Sequence, residues 1–429
     1  MRAVTLQEVL DAREARAAAQ RRMLAAYGLP LLGLTMNIAG PVKRSALSDF
    51  AYREGLLQLR RRLGGALAAE ELTDAPTGLE AILACALAAE ELKALAVELE
   101  EARPVGRLYD LDVIGVDGQK LSRAVPRTCL VCGGPASPCA RSRAHGLRAV
   151  QTAAEKRLRG FAADRLGELA VEALTEEVDL TPKPGLVDCR GSGAHRDMDR
   201  ALFHRSARSL ALYFRQAAAL GLERADCMAD LQRAGLAAEE TMLAATGGVN
   251  THKGAIYGVG LVLAGLGSVL ARGGDLFDTA AALAAAGLPP PPDTHGGQAL
   301  RRYGASGARG EALAGFPHAR RACAVLDRRG PLAALLTLLA EVEDTNLLHR
   351  GGWKGLRFVQ EQAAAILAGP EDALIPRLEA LSDACVARNL SPGGCADLLA
   401  LALLLHRTRE IWQAGSEPPA RFERNFTGR

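Results

Sequence analysis

The pattern of apolar positions in the first third of the chain predicts both helices and strands. Apolar residues recur every three to four positions from Leu6 to Tyr27, which is typical of an amphipathic helix, and Gly28 ends it. The pattern predicts helices at 6–27, 50–67 and 78–101, and strands at 31–38 and 108–114. Residues 1–148 are therefore predicted to form an α+β domain.

The remaining residues, 149–429, show long alanine- and leucine-rich helical patterns and almost no strand signal. Helices are predicted at 155–177, 199–220, 227–245, 255–271, 331–342, 356–368, 372–388 and 395–412. The segment 287–311, which contains four consecutive prolines, is predicted to be a long loop, and the tail after Gly415 is predicted to be flexible. These features predict a second, all-α domain.

Composition and charge exclude several classes of protein. The chain has 429 residues, 49% of them hydrophobic, and no apolar run approaches the roughly 20 uninterrupted residues of a membrane span. With 52 basic and 49 acidic residues the net charge is only +3, so nothing indicates a nucleic-acid partner. The charged start of the chain is unlike a secretory signal, and the nine cysteines lack the spacing of a disulfide framework. We expect a cytoplasmic protein with reduced thiols and neither a nucleic-acid nor a membrane partner.

Four glycine-containing turns at helix ends carry the main chemical signal of the all-α domain. They lie at 181–185, 246–254, 347–352 and 391–394. A helix N-terminus presents free N–H groups and a partial positive charge to an anion, and glycine lets the backbone approach a phosphate. Candidate substrate- and ATP-binding residues in these turns or beside them are Lys183, Asn250, Thr251, His252, Lys253, Asn346, Arg350 and Ser391. The basic residues suit a triphosphate, whereas Asn250 and Thr251 suit a ribose or a base.

Three aspartates beside these turns are candidate catalytic residues: Asp197, Asp199 and Asp344. Their carboxylates suit a magnesium ion bound next to a polyphosphate, and a carboxylate can also act as a general base. Asp199, at the start of a predicted helix, would equally suit an N-cap. The roles of base, magnesium ligand and cap are left open by the sequence.

The turns and aspartates belong to longer motifs, among them Thr-Pro-Lys-Pro-Gly at 181–185, Gly-Gly-Val-Asn-Thr-His-Lys-Gly at 247–254 and Ser-Pro-Gly-Gly at 391–394. Over residues 153–412 the chain resembles the triphosphoribosyl-dephospho-CoA synthase family, with the motifs in the same order. The resemblance implies an all-α fold and a reaction that consumes ATP. The 2′-hydroxyl of 3′-dephospho-CoA attacks the ribose C1 of ATP, adenine leaves, and the triphosphate is retained. Cys395 is a mild departure, because the family usually has a small residue there.

The α+β domain carries two aspartates at strand spacing. Residues i and i+2 of a strand face the same side, so Asp110 and Asp112 are expected to point together. Paired carboxylates repel each other unless a cation lies between them, which favours a magnesium ion holding a polyphosphate; the alternative is a solvated face of an edge strand. Arg107 in the same segment, and Lys43 in the glycine turn at 37–43, are candidate substrate-binding residues.

Three cysteines and a histidine follow the predicted strand. Cys129 and Cys132 form a C-x2-C pair, and Cys139 and His145 come later. These residue types can hold zinc tetrahedrally, although the second pair lacks a regular zinc-ligand spacing. A structural zinc site and buried reduced thiols are both left open.

These segments, together with the helix start at 6–16, resemble the holo-acyl-carrier-protein synthase of citrate lyase over residues 5–145. The resemblance implies a nucleotidyltransferase-like sheet with helices. It also implies transfer of a phosphoribosyl-dephospho-CoA group to a serine of the apo acyl carrier protein, the gamma subunit of citrate lyase, with release of pyrophosphate. Ala39 departs from the family, which has proline in this turn, so the loop is expected to be looser.

Taken together, the two resemblances imply a bifunctional transferase that makes the citrate lyase prosthetic group and attaches it. Its expected ligands are ATP with Mg²⁺, 3′-dephospho-CoA and the apo acyl carrier protein. The alternatives are the equivalent enzymes for malonate decarboxylase and a non-catalytic nucleotide-binding protein.

Overall fold

The computed structural model describes residues 2–288 and 295–414, which fold into two compact units. The first unit extends to Ala162 and includes the segment that begins at Glu410, whereas the second runs from Ala163 to Arg409. The division lies inside one long helix, Leu147–Asp179. The domain boundary predicted at 148/149 lies at the start of that helix and stays a prediction.

A four-stranded antiparallel sheet lies at the centre of the first unit. The strands are β1 (Leu31–Met36), β2 (Leu67–Ala75), β3 (Gly78–Cys85) and β4 (Tyr109–Ile114), in the order β2-β3-β1-β4. The helices of this unit are α1 (Leu6–Tyr27), α2 (Ala46–Leu63), α3 (Ala89–Ala102) and the short α4 (Ala136–Ser142). The sequence prediction of α1, β1 and β4 is confirmed.

Different helices cover the two faces of the sheet. On one face α1 packs Ala19 and Met23 against the sheet, and Ile114 at the end of β4 packs against the same cluster. On the other face the Tyr109 hydroxyl donates a hydrogen bond to the carbonyl of Ala51 in α2, at 2.9 Å. Because side chains alternate along a strand, the two aspartates of β4 lie on one face of the sheet, as predicted, and this is the face that α1 covers.

The prediction of one helix over 78–101 is wrong. Residues Gly78–Cys85 form β3, and α3 begins only at Ala89. Strand β3 lies between β1 and β2 and is buried over nearly its whole length, so its apolar run lacks the alternation that distinguishes a strand from a helix. The sequence pattern also misses β2, whose alanines and glutamates favour a helix, because pairing with β3 overrides that local preference.

The second unit is helical, and within the described residues its only β-pairing is an isolated bridge between Asp188 and Gly191. Its helices are α5 (Leu147–Asp179), α6 (Arg200–Ser209), α7 (Ala211–Glu223), α8 (Met228–Thr246), α9 (Lys253–Arg272), α10 (Leu276–Ala286), α11 (His295–Tyr303), α12 (Gly307–Leu313), α13 (Pro317–Glu341), α14 (Thr345–Leu367), α15 (Leu374–Ala387) and α16 (Gly393–Gln413). Helix α5 begins in the first unit, and α16 ends in it.

Three predictions for this unit need correction. The segment 347–352, predicted as a turn before a helix at 356–368, lies inside α14, which begins at Thr345 and is kinked at Gly352. The predicted helix at 199–220 is interrupted at Leu210, where α6 ends and α7 begins. The predicted loop at 287–311 contains α11 and the start of α12. Its proline run falls on residues 289–294, which lie outside the described residues, as does the tail at 415–429.

Helix α9 is a core helix of the second unit. Of the described helices it is the one long and apolar enough to cross a membrane, with a mean hydropathy of 1.9, yet 78% of that apolar window is buried inside the protein. Helix α7 approaches it closely because of Gly221, where an added Cβ would overlap the carbonyl oxygen of Ala264. The apolar sequence of α9 is therefore explained by packing, and its N-terminus emerges from the glycine turn at 246–254.

Candidate functional site

Asp344 joins the N-termini of α14 and α16. Its Oδ1 accepts the N–H groups of Asn346 and Leu347 at 2.8 and 3.1 Å, and its Oδ2 accepts the N–H of Cys395 at 2.8 Å. The residue is 1% exposed, and burial raises the pKa of its carboxyl although these N–H groups oppose the shift. A Cβ at Gly394 would lie 3.0 Å from Oδ2, so glycine makes room for the carboxylate. Asp344 thus caps α14 and, by accepting the N–H of Cys395, also holds the turn at 391–394.

Ser391, His195 and Arg350 form a chain of hydrogen bonds. His195 Nε2 lies 2.8 Å from Ser391 Oγ, and its Nδ1 lies 3.3 Å from Arg350 Nη2. Arginine can only donate, so Nδ1 is the acceptor and Nε2 carries the proton that is donated to Ser391. Burial and the charge of Arg350 lower the pKa of His195, which keeps the ring neutral at pH 7. Sequence reasoning misses His195, although it lies in the same turn as Asp197.

Lys183 is buried in an ion pair. Its Nζ lies 2.7 Å from Glu177 Oε1 and donates at 2.8 Å to the carbonyl oxygen of Glu177. Asp188 holds the turn by accepting the N–H of Lys183 at 2.8 Å. Burial raises the pKa of Glu177 even though the charge of Lys183 opposes the shift. Lys183 is only 1% exposed, so its ammonium group already has a balancing charge inside the protein.

His252 is a buried neutral imidazole at the start of α9. Its Nδ1 lies 2.7 Å from Ser206 Oγ, which lies 2.6 Å from Thr251 Oγ1. Burial, and then the charge of Lys183, lower the pKa of His252 to about 3. Within the described residues the buried Nε2 has no hydrogen-bond partner. Leaving such an atom without a partner is costly, so Nε2 is available to a ligand.

Asp397 lies against the first turn of α9. A Cβ at Gly254 would overlap Asp397 Oδ2, and the carboxylate accepts the N–H of Ala255. Burial, followed by the charges of Glu177 and Asp344, raises the pKa of Asp397 well above its usual value. Sequence reasoning misses this residue, although a single carboxylate inside the apolar run at 395–405 is a usable signal. Five groups influence each other's charge and are called here the central cluster: Glu177, Lys183, His252, Asp344 and Asp397.

The other candidates of the second unit are more exposed. Asp199 Oδ1 accepts the N–H of Leu202 at 2.7 Å, so this residue caps α6. Lys253 Nζ lies 2.7 Å from Glu239 Oε2, with 48% of its side chain exposed. Asn250 Oδ1 accepts the N–H of Lys253 at 3.3 Å. Asp197 is exposed, and its charge partly offsets the lowering of the Arg350 pKa by burial. Their binding and catalytic roles stay predictions.

Cations of the protein itself lie beside the two aspartates of β4. Lys120 Nζ lies 2.6 Å from Asp112 Oδ1, and Arg127 Nη1 lies 3.7 Å from Asp110 Oδ1. The side chains of Asp112 and Asp110 are 28% and 42% exposed, so a ligand can reach both. Charge balance at this pair does not by itself require a metal, and the magnesium role stays a prediction.

Backbone carbonyls hold the two candidate binding residues of the first unit. Lys43 Nζ donates to the carbonyl oxygen of Ile38 at 2.7 Å, and Arg107 Nη2 donates to the carbonyl oxygen of Thr128. Burial lowers the pKa of both side chains. These contacts fix where the two cations lie, and their roles as phosphate ligands stay predictions.

The three cysteines and the histidine of the first unit lie together. One ligand atom from each of Cys129, Cys132, Cys139 and His145 lies within 4.8 Å of the others. The Sγ atoms of Cys132 and Cys139 are 3.7 Å apart. The three thiols are free, but Cys132 is exposed, so the alternative of buried reduced thiols does not hold for Cys132. The arrangement suits a metal ion.

Comparison with known proteins assigns each unit to a different family description. Residues 163–416 match the family described as ATP:dephospho-CoA triphosphoribosyl transferase. Residues 4–161 match the family described as apo-citrate lyase phosphoribosyl-dephospho-CoA transferase.

Among similar proteins of known name, one matches both units of this chain, and others match only part of it. Protein CitXG of Haemophilus influenzae is 36% identical, and the alignment covers 93% of this chain and 95% of that protein. The 2-(5''-triphosphoribosyl)-3'-dephosphocoenzyme-A synthase of Pectobacterium atrosepticum is 42% identical over 56% of this chain and 88% of its own length. The enzyme of the same name from Haemophilus ducreyi is 36% identical over 64% of this chain and 98% of its own length. The chain therefore resembles one relative along almost its full length and two others over part of it.

Proposed function

We propose, because the chain belongs to the ATP:dephospho-CoA triphosphoribosyl transferase family, that its second unit joins ATP to 3′-dephospho-CoA. The 2′-hydroxyl attacks the ribose C1 of ATP, adenine leaves, and the triphosphate stays on the ribose. The first unit, with a nucleotidyltransferase-like sheet, then transfers phosphoribosyl-dephospho-CoA to a serine of the apo acyl carrier protein of citrate lyase and releases pyrophosphate. The central cluster at the start of α9 is the observation that carries the first step.

Asp397 is the group that we assign as the general base of the first step. Asp344 is engaged through both of its oxygens, and Asp199 caps α6. Glu177 is held in an ion pair by Lys183, which leaves Asp397 as the carboxylate of the central cluster whose pKa is raised by burial and by like charges. A carboxylate with a raised pKa is a stronger base towards a hydroxyl proton than an ordinary aspartate. Asp397 therefore suits removal of the proton from the attacking 2′-hydroxyl.

Lys253 and Arg350 are the cations that we place on the triphosphate. The exposed pair between Lys253 and Glu239 is worth about 0–1 kcal/mol, so a phosphate can replace the glutamate. Lys183 is better placed as a positioning partner of Glu177, because it is almost fully buried. Carboxylate oxygens are preferred ligands of Mg²⁺, and the exposed Asp197 beside Arg350 would hold the ion, which would neutralise triphosphate charge.

The nucleoside part of ATP is assigned to the turn before α9. His252 offers a buried ring nitrogen without a partner in the described part of the chain, and Asn250 and Thr251 precede it. Hydrogen bonds from these side chains would orient the ribose and the adenine for displacement. Asn346 and Ser391, at the junction held by Asp344, are assigned to the second substrate, 3′-dephospho-CoA.

In the first unit, Asp110 and Asp112 would hold Mg²⁺, because they share a face of the sheet and are both accessible. The ion would stabilise the charge of the departing pyrophosphate. Arg107 and Lys43 would bind phosphates of the transferred group. The cysteine–histidine group is not assigned a chemical step in either reaction, and zinc is the metal that its ligands suit best.

The first test is the product of the reaction between ATP and 3′-dephospho-CoA. The full-length protein with Mg²⁺ is expected to release free adenine, which chromatography separates from nucleotides. ADP, AMP or pyrophosphate as the main product would contradict the proposal. A nucleotide-binding protein without activity would retain ATP and release no adenine.

Lys253→Met is expected to raise the KM for ATP or to lower kcat by about tenfold, because a charge-assisted contact with phosphate is worth roughly 1.5–3 kcal/mol. Initial rates of adenine release over a range of ATP concentrations measure the effect. Lys156→Met removes an exposed lysine of α5 and serves as the matched control. Equal kinetic constants for Lys253→Met and the control would show that Lys253 only begins the helix.

A further inference from the structure

The thiols of the cysteine–histidine group already have the separation that a zinc ion imposes. With zinc–sulfur bonds of about 2.3 Å, two ligands of a tetrahedral site lie roughly 3.8 Å apart. The Sγ atoms of Cys132 and Cys139 are 3.7 Å apart, and all four ligand atoms lie within 4.8 Å of one another. The side chains therefore need only small movements to close around one ion.

The backbone turn between the first two cysteines brings both sulfur atoms to one side. The N–H of Gly133 donates to the carbonyl oxygen of Cys129 at 3.1 Å, and Gly133 has a φ of 74°, which favours glycine. The N–H of Val131 points at Cys129 Sγ at 3.5 Å, as suits a sulfur that carries negative charge. Helix α4 then carries Cys139 back to this turn.

His145 supplies an independent indication of a metal site. Its Nε2 is buried, and within the described residues it has no hydrogen-bond partner. Buried polar atoms are normally bonded, since an unpaired one costs about 1–3 kcal/mol. A metal ion held by the three neighbouring thiolates would satisfy this nitrogen.

The same loop is tied to the strand that carries the two aspartates. Arg127, two residues before the first cysteine, donates to the carbonyl oxygen of Tyr109 at 3.0 Å and forms an ion pair with the buried Glu100. Its Nη1 also lies 3.7 Å from Asp110 Oδ1. Arg107 donates in turn to the carbonyl oxygen of Thr128, directly before Cys129. The position of these two arginines therefore depends on the cysteine loop.

We propose that Cys129, Cys132, Cys139 and His145 bind one structural zinc ion, and that this zinc centre holds Arg127 and Arg107 beside the aspartates of β4. Thiolates and imidazole together favour zinc over magnesium or calcium. Four protein ligands fill a tetrahedral site and leave no position for a substrate, so the ion stabilises the loop and does not react. The two arginines act as positioning residues for the transfer step.

Metal content tests the binding part directly. Full-length protein produced in zinc-supplemented medium is expected to contain one zinc per chain by elemental analysis. Protein reconstituted with Co²⁺ is expected to show a thiolate-to-cobalt charge-transfer band. Cys139→Ser should lose the metal, whereas Cys189→Ser, at an exposed cysteine of the second unit, should retain it. Wild-type protein without zinc and without the cobalt band would overturn the proposal, as would a Cys132–Cys139 disulfide found by mass spectrometry of the purified protein.

The proposal that zinc positions Arg127 and Arg107 rests on the proposed function, and it is tested by the rate at which the carrier protein is labelled. With supplied triphosphoribosyl-dephospho-CoA, loss of zinc is expected to slow labelling of the apo carrier protein by about tenfold or more, while adenine release from ATP stays unchanged. Cys132→His keeps a zinc ligand and should retain both the metal and most of the labelling. Unchanged labelling by zinc-free Cys139→Ser would overturn the positioning role. Absence of labelling by zinc-loaded wild type would instead contradict the proposed function of the first unit and leave the metal assay to decide on zinc.

Discussion

The double variant Asp110→Asn with Asp112→Asn is expected to release adenine from ATP at the wild-type rate and yet to fail to label the apo carrier protein. Amides keep the shape of the carboxylates but remove the negative charge that would hold Mg²⁺, so transfer should fall by roughly two orders of magnitude or more. Both ion pairs of the aspartates are partly exposed, and such pairs are worth about 0–1 kcal/mol, so the fold should persist.

Intact mass of the carrier protein and adenine chromatography are read from the same tube. Asp117→Asn is the matched control, because Asp117 is an exposed aspartate in the turn that follows β4. Labelling at the wild-type rate would show that the two aspartates bind no catalytic metal and only form a solvated face of the strand. Loss of both activities with an intact fold would mean that the assignment of one reaction to each unit is wrong.

Asp397→Asn is expected to lose adenine release and to keep labelling of the carrier protein, the reverse of the double variant. Removing a general base typically slows a reaction by about 10²- to 10⁴-fold, so adenine release should fall by that factor. Labelling of the carrier protein from supplied triphosphoribosyl-dephospho-CoA should continue. Asp383→Asn, which changes an exposed aspartate of α15, is the control. Adenine release within a factor of two of the control, a limit of about 0.4 kcal/mol, would exclude Asp397 as the base.

The same variant makes a prediction about stability. Because the pKa of Asp397 is raised in the folded protein, folding favours its neutral form, and that stabilisation is lost as the pH rises through the raised pKa. Asp397→Asn carries no charge at any pH and should melt at the wild-type temperature or above it at neutral pH. A thermal melt well below that of the wild type would show that the carboxylate is a structural acceptor for α9, because an amide oxygen accepts the N–H of Ala255 more weakly than a carboxylate does.

Local patterns predict the elements with one exposed and one buried face. Strand β4 alternates strictly, so its existence and the shared face of Asp110 and Asp112 follow from the sequence. Strand β3 is buried on both faces and carries no such alternation, and β2 owes its conformation to pairing with β3. Both misses have the same origin, because neighbours distant in the chain decide the structure.

In the candidate site, too, some features can be predicted from local sequence, whereas others depend on contacts between distant segments. The glycine turns and their capping residues are visible as local motifs, and the candidate metal ligands are visible as residue types. The raised pKa of Asp397 depends on the charges of Glu177 and Asp344, and its position depends on the space left by Gly254. These three residues come from three other segments of the chain. Likewise, the ion pair that occupies Lys183 follows from the turn folding back on the end of α5. Charges that are set by tertiary contacts cannot be assigned from residue type alone.

The most direct measurement of the two-step account combines ATP, 3′-dephospho-CoA, Mg²⁺ and the apo acyl carrier protein of citrate lyase with the full-length protein. Adenine, pyrophosphate and the intact mass of the carrier protein are followed over time. The account predicts that each carrier protein that gains the mass of phosphoribosyl-dephospho-CoA is matched by one adenine and one pyrophosphate. Adenine release without any gain in carrier mass would contradict the role of the first unit, and ADP or AMP as the nucleotide product would contradict the role of the second.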